Sequence, residues 1–133
     1  MNLYLDASAL VKRYVAEPGS ETILDAMDRA KGWFMCRIGF VETVRAVGLS
    51  AGQAATATVH EEWPAFGVIE VDQRLVEDAA KLAITRELRS MDALHLAAAL
   101  MLPRDDLILA TWDRRLHAAA AAEGLALTPE KLD

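Results

Sequence analysis

Two kinds of apolar pattern share the chain. Short, nearly unbroken apolar runs recur at residues 2–5, 33–36, 68–71, 107–110 and 125–127. None of them alternates apolar with polar, so each predicts a strand covered on both faces. Between the runs, apolar residues return at helical spacing. Ser20 is placed to cap a helix running to about residue 31, and a second helix is expected over residues 38–49. Gly48, Ser50 and Gly52 break that helix, and a further one reaches Trp63, where Pro64 stops it. Residues 73–87 read as helix, Ser90 as the cap of a helix to about residue 102, and residues 112–122 as the last helix. The order β-α-α-β-α-α-β-α-α-β-α-β predicts an α/β domain, with a central parallel sheet of about five strands flanked by helices. No fixed-period repeat and no Pro- or Ser-rich linker divides the chain, so residues 1–133 are expected to form one domain.

Composition narrows the class. Of the 133 residues, 53% are hydrophobic and 26% charged, which suits a globular core and excludes disorder. The longest nearly uncharged stretches, such as residues 93–102, fall well short of the roughly 18 apolar residues of a membrane span. Residues 1–6 lack the basic start of a secretory signal, and Asp6 interrupts the first apolar run. The single cysteine, Cys36, cannot form an internal disulfide and lies in an apolar run, which fits a buried small hydrophobe and a reducing cytoplasm. The net charge of −6 disfavours an extended grip on a polyanion and leaves room for a local acidic site.

Four acids sit against apolar sequence, where a solvated face would not put them. Asp6 ends the first strand, and ligands of open parallel sheets gather beyond such ends. Glu42 is four residues after Ile38 and shares a helix face with it. Asp92 opens an otherwise apolar helix in Ser90-Met91-Asp92-Ala93-Leu94-His95-Leu96. Asp113 follows the fourth strand through Thr111-Trp112. Each has an ordinary explanation. Asp6 and Asp113 stand where helix N-caps stand, Asp92 complements a helix dipole, and Arg45 is spaced to pair with Glu42. If all four converge, each carboxylate pair at about 4 Å costs on the order of 4 kcal/mol at an effective dielectric near 20. Such a cluster must bind protons or cations, and oxygen-only ligands favour Mg²⁺ or Mn²⁺. The matching chemistry is phosphodiester hydrolysis by a metal-activated water.

These motifs resemble the PIN-domain family. Leu3-Tyr4-Leu5-Asp6-Ala7-Ser8-Ala9-Leu10 is similar to the opening of its members. Val41-Glu42, Arg89-Ser90-Met91-Asp92-Ala93-Leu94-His95-Leu96-Ala97-Ala98-Ala99 and Thr111-Trp112-Asp113-Arg114-Arg115-Leu116 follow in the family's order. The length matches the VapC-type toxins of bacterial type II toxin–antitoxin pairs. The resemblance implies a three-layer α/β/α PIN-like fold and a Mg²⁺-dependent endoribonuclease that cuts RNA, such as a tRNA loop, to arrest translation. It also implies a cognate antitoxin that covers the acidic site, and a homodimer. By position, Asp6, Glu42, Asp92 and Asp113 are the implied catalytic acids. Asp6, Asp92 and Asp113 are the implied metal ligands, and Glu42 a ligand or the residue that orients the attacking water. Ser8 and Thr111 match the family's supporting hydroxyls, while Cys36 stands near a position where the family often has Ser or Thr.

Several residues remain. His95 reads as a packed helix residue, and His60 and His117 lack metal-ligand spacing. Lys12, Arg13, Arg37, Arg45, Arg89, Arg114 and Arg115 lie near the acids in sequence and could meet RNA phosphates, with Arg89 the best placed. Two other classes are open: a phosphoryl-transfer hydrolase using Asp6, and a PIN-like binding module or scaffold without activity. Ser8 stands where a haloacid dehalogenase-type enzyme expects its second Asp, and neither a P-loop nor a GxGxxG motif is present.

Overall fold

A computed structural model describes residues 1–132. Five strands form one sheet in the order β3-β2-β1-β4-β5, every neighbouring pair parallel. They are β1 (Asn2–Leu5), β2 (Gly32–Cys36), β3 (Phe66–Ile69), β4 (Leu107–Ala110) and β5 (Ala126–Thr128). The third begins two residues before the predicted run because Phe66 pairs with Trp33 and packs on its ring. The helices are α1 (Ala7–Tyr14), α2 (Ser20–Arg29), α3 (Gly39–Ala51), α4 (Gln53–Glu62), α5 (Gln73–Thr85), α6 (Ser90–Ala99) and α7 (Arg114–Ala122).

Strand pleating divides the core. In β1 the side chains of Leu3 and Leu5 join Ala9, Leu10, Ile23 and Met27 of α1 and α2 on one face. Tyr4 points the other way, into the layer of α5, α6 and α7 with Leu75, Leu96 and Leu116. All are fully buried, which gives the three layers. No helix among the described residues is long and apolar enough to cross a membrane.

Two expected caps are different residues. Gly19, not Ser20, precedes α2 with a left-handed φ of 96°, and the Ser20 hydroxyl instead donates to the Val15 carbonyl. A Cβ on Gly19 would come within 2.8 Å of the Trp112 ring, so this turn needs glycine twice over. Arg89 holds the N-cap position of α6, and Ser90 is its first residue. The last helix starts at Arg114 because Asp113 caps it through the Leu116 N–H, 2.9 Å away.

Sheet order fixes where ligands can gather. The chain runs from β1 to β2 on one side and returns to β4 on the other. The carboxyl ends of β1 and β4 therefore flank the point where the topology reverses. Asp6 follows β1, and Thr111, Trp112 and Asp113 follow β4.

Candidate active site

Asp6 is the most constrained of the four acids, with 3% of its surface exposed. Its Oδ1 accepts from the Ser8 hydroxyl at 2.7 Å and from the Ala9 N–H at 2.9 Å; its Oδ2 accepts from the Thr111 hydroxyl at 2.6 Å. The bond to Ala9 is the N-cap of α1, so cap and site residue are one side chain. Both hydroxyls spend their protons on Asp6, so both oxygens accept from the next loop: Ser8 from Trp112 N–H at 2.9 Å and Thr111 from Asp113 N–H at 3.0 Å. Ser8 and Thr111 thus clip the end of β1 to the loop after β4. Burial raises the pKa of Asp6, against the lowering influence of His95 and these hydrogen bonds.

Asp92 is the opposite case. It is half-buried at the start of α6, and its carboxylate has no hydrogen-bond or ion-pair partner among the described residues. Burial first, and then the charges of Asp113, Asp6 and Glu42, push its pKa up to about 6, with His95 opposing. The charges of three other acids, from three separate segments, are therefore felt at Asp92. Asp113 caps α7 through Oδ1, yet its charge still reaches Asp92, so the cap and the acidic cluster coexist.

Glu42 is not paired with Arg45, which is exposed. Its Oε1 lies 2.7 Å from Nε2 of His95, a side chain only 2% exposed. His95 is therefore more than a packed helix residue. Its Nδ1 lies 2.8 Å from the Tyr4 hydroxyl, which accepts the Cys36 backbone N–H at 3.0 Å. Sequence reading passed over Tyr4. The available signal was its place two residues before Asp6, on the same strand face, with a phenolic tip that needs a partner once buried. Cys36 is buried, as expected.

The basic side chains separate into two groups. Lys12 is held by Glu17 Oε1 at 3.1 Å and the Pro18 carbonyl at 2.8 Å, over the Trp112 ring. Arg13 binds both oxygens of Glu62, and Arg37 both oxygens of Glu70. Arg45, Arg89, Arg114 and Arg115 are exposed and form no ion pair among the described residues. A cleft of about 460 Å³ is lined by Ser8, Val11, Glu42, Arg45 and Trp112 among others; of the four acids only Glu42 lines it. His60 meets Phe40 edge-on, and His117 bonds the Pro129 carbonyl, so neither joins the site.

Among the described residues, no group of three His, Cys, Asp or Glu side chains stands at metal-binding spacing. The donor chemistry still suits a hard cation. Three of the roughly four lone-pair positions of Asp6 are taken by hydrogen bonds, leaving one on Oδ2, and Asp92 has both oxygens unpaired under repulsion from its neighbours.

The fold agrees with known proteins. The PIN-domain family profile matches residues 3–122. This chain belongs to the PIN-domain family. Within that family it is 32% identical over 140 aligned positions to Ribonuclease VapC45 of Mycobacterium tuberculosis, covering 98% of this chain and 97% of the relative. Among solved structures, Mycobacterium tuberculosis VapC20, described as a sarcin–ricin loop cleaving toxin, superposes with a TM-score of 0.76 at 15% identity, over 98% of this chain and 99% of that one. A toxin–antitoxin complex from Klebsiella pneumoniae gives a TM-score of 0.67 at 18% identity, over 84% of this PIN-domain chain and 86% of its counterpart.

Proposed function

We propose that this PIN-domain protein is a metal-dependent endoribonuclease, the toxin of a toxin–antitoxin pair, and that Asp6, Glu42, Asp92 and Asp113 form its active site. The observation that carries the reading is Asp92: a half-buried carboxylate at the start of α6 with no partner among the described residues, its pKa raised by burial and by the charges of Asp113, Asp6 and Glu42. Its identity to a curated VapC ribonuclease over nearly the whole chain supports the same reaction class.

Asp6, Asp92 and Asp113 would hold the cation, Mg²⁺ or Mn²⁺. Bound there, it would polarise the scissile phosphate and lower the pKa of an attacking water. Ser8 and Thr111 keep the Asp6 carboxylate from rotating, so one of its oxygens always faces the ligand. Glu42 orients the attacking water and takes its proton. Arg89, exposed and without an ion pair among the described residues, would meet an RNA phosphate.

An antitoxin partner is supported by the toxin–antitoxin complex among the structural neighbours. The family resemblance also supports a homodimer. The substrate is RNA in a loop or single strand, and its cleavage in the cytoplasm arrests translation.

The test is direct. Purified protein without its partner should cut RNA in the presence of Mg²⁺ or Mn²⁺ and stop when EDTA is added. Asp6→Asn and Asp92→Asn should each abolish cutting while the circular dichroism spectrum is retained. Full activity in either variant rules out the assignment.

A further inference from the structure

The acids account for the front of the site. Behind them runs a buried polar chain that the proposed chemistry does not yet use: Cys36 N–H, Tyr4 hydroxyl, His95 imidazole, Glu42 carboxylate. Its links measure 3.0, 2.8 and 2.7 Å, and Tyr4 is fully buried while His95 is 2% exposed.

The chain has a direction. The Cys36 amide can only donate, so the Tyr4 oxygen accepts from it. The phenolic proton then needs an acceptor, and Nδ1 of His95 is the atom within reach. A ring that accepts at Nδ1 carries its hydrogen on Nε2, and that N–H donates to Oε1 of Glu42. Every donor in the chain finds an acceptor in this arrangement, as burial demands. Glu42 is left with Oε2, which has no partner among the described residues, and the side chain lines the cleft beside Ser8.

The backbone makes room for this chain. Gly39 opens α3, and a Cβ there would meet Met35 Sδ at 2.6 Å and His95 Cε1 at 3.0 Å. A side chain at that position would push the ring off Glu42. His95 also shares the Asp92 side of α6, three residues on, so one helix carries both an acid of the site and the support of another.

We propose that His95 is a positioning residue for the nuclease reaction: its Nε2–H fixes Glu42 with Oε2 free for the attacking water, and Tyr4, anchored on the Cys36 amide, fixes the imidazole tautomer that does this. The inference rests on the ribonuclease reading for its activity readout and on the fold alone for its spectroscopic one. Supporting residues of this kind commonly change activity about 10- to 100-fold.

Two measurements test it. In metal-free protein at pH 7.5, long-range ¹H–¹⁵N spectra of the three histidines should show His95 as the Nε2–H tautomer. Tyr4→Phe should shift it towards a mixture. An Nδ1–H or doubly protonated ring in the unmodified protein overturns the proposal. In RNA cleavage, His95→Leu should lower kcat about 10- to 100-fold with KM within about twofold. His95→Gln, whose amide can donate to Glu42 and whose carbonyl can accept from Tyr4, should recover most of the loss. In a Glu42→Gln background, His95→Leu should add little, because residues acting through one another are not additive. Unchanged kcat in His95→Leu, or an equal further loss in that background, reduces His95 to packing and overturns the proposal. If the unmodified protein cuts no RNA with either metal, the ribonuclease reading fails by itself, and the tautomer measurement still decides whether His95 holds Glu42.

Discussion

The two edges of one sheet treat carboxylates in opposite ways. At the edge where the strands begin, Lys31 precedes β2 and Asp106 precedes β4, and the two side chains form an ion pair. Lys31 holds the Asp106 carboxyl below its usual range. On the helix side of the opposite end, Asp92 has no ion-pair partner among the described residues; burial and the charges of Asp113, Asp6 and Glu42 push its pKa up to about 6 against the opposing influence of His95. The residue type and the sheet are the same; the neighbours differ. Asp106 is provided with a cation by the chain, whereas Asp92 has none among the described residues, the contrast on which its proposed role as a ligand rests.

The largest effect that would break this contrast is on activity. Asp92→Asn should lower kcat/KM by at least about a thousandfold, equivalent to roughly 4 kcal/mol of transition-state stabilisation, while Asp106→Asn leaves it within about twofold. Comparable losses in the two variants would mean that the edges do not differ in function.

Next is the clip that joins β1 to the loop after β4. Thr111→Val keeps the shape but removes the acceptor for the Asp113 N–H and a donor to the buried Asp6 carboxylate. Urea unfolding should show a loss of about 1–3 kcal/mol. A neutral substitution would show that Asp6 is not held by this hydroxyl.

Protons and metal should compete at the acidic edge and not at the other. The sign follows from the direction of each shift. Asp92 binds its proton more tightly when folded, so without metal its contribution favours folding at low pH and is lost as pH rises through about 6. Asp106 binds its proton less tightly when folded; its contribution is present above the unfolded pKa and is lost as pH falls through the lowered value. Mg²⁺ at about ten times its dissociation constant should therefore add about 1.4 kcal/mol at pH 7.5, or about 5 °C in Tm. At pH 5, where Asp92 carries a proton, differential scanning calorimetry should show much less. An equal gain at both pH values would separate metal binding from Asp92.

The smallest effect belongs to the exposed pair. Lys31→Met should leave the urea midpoint nearly unchanged, because surface ion pairs contribute little.

Much of the fold was legible because local sequence carries it. Unbroken apolar runs marked buried parallel strands, and helical spacing with Gly and Pro breaks marked most helix limits. The misplaced caps have a physical cause: a serine hydroxyl has several possible local partners, and at Ser20 the Val15 carbonyl is within its reach. The acids were legible as candidates because Asp6, Glu42, Asp92 and Asp113 interrupt apolar sequence. Their support was only partly so. Ser8 and Thr111 stand beside Asp6 and Asp113 in sequence and could be singled out. The chain of Cys36, Tyr4, His95 and Glu42 joins four distant segments, and no spacing along the sequence encodes it.

The sequence by itself determined the alternation of strands and helices, the class of sheet and the identity of the acids, because periodicity and burial preference act over a few residues. Only the tertiary structure decided which charges are neutralised. It tied Lys12, Arg13 and Arg37 to Glu17, Glu62 and Glu70. It turned Glu42 from Arg45 to His95 and left Asp92, at the start of α6, without a partner among the described residues. Charge interactions depend on distance through space and on burial, and both are set only when remote segments pack together.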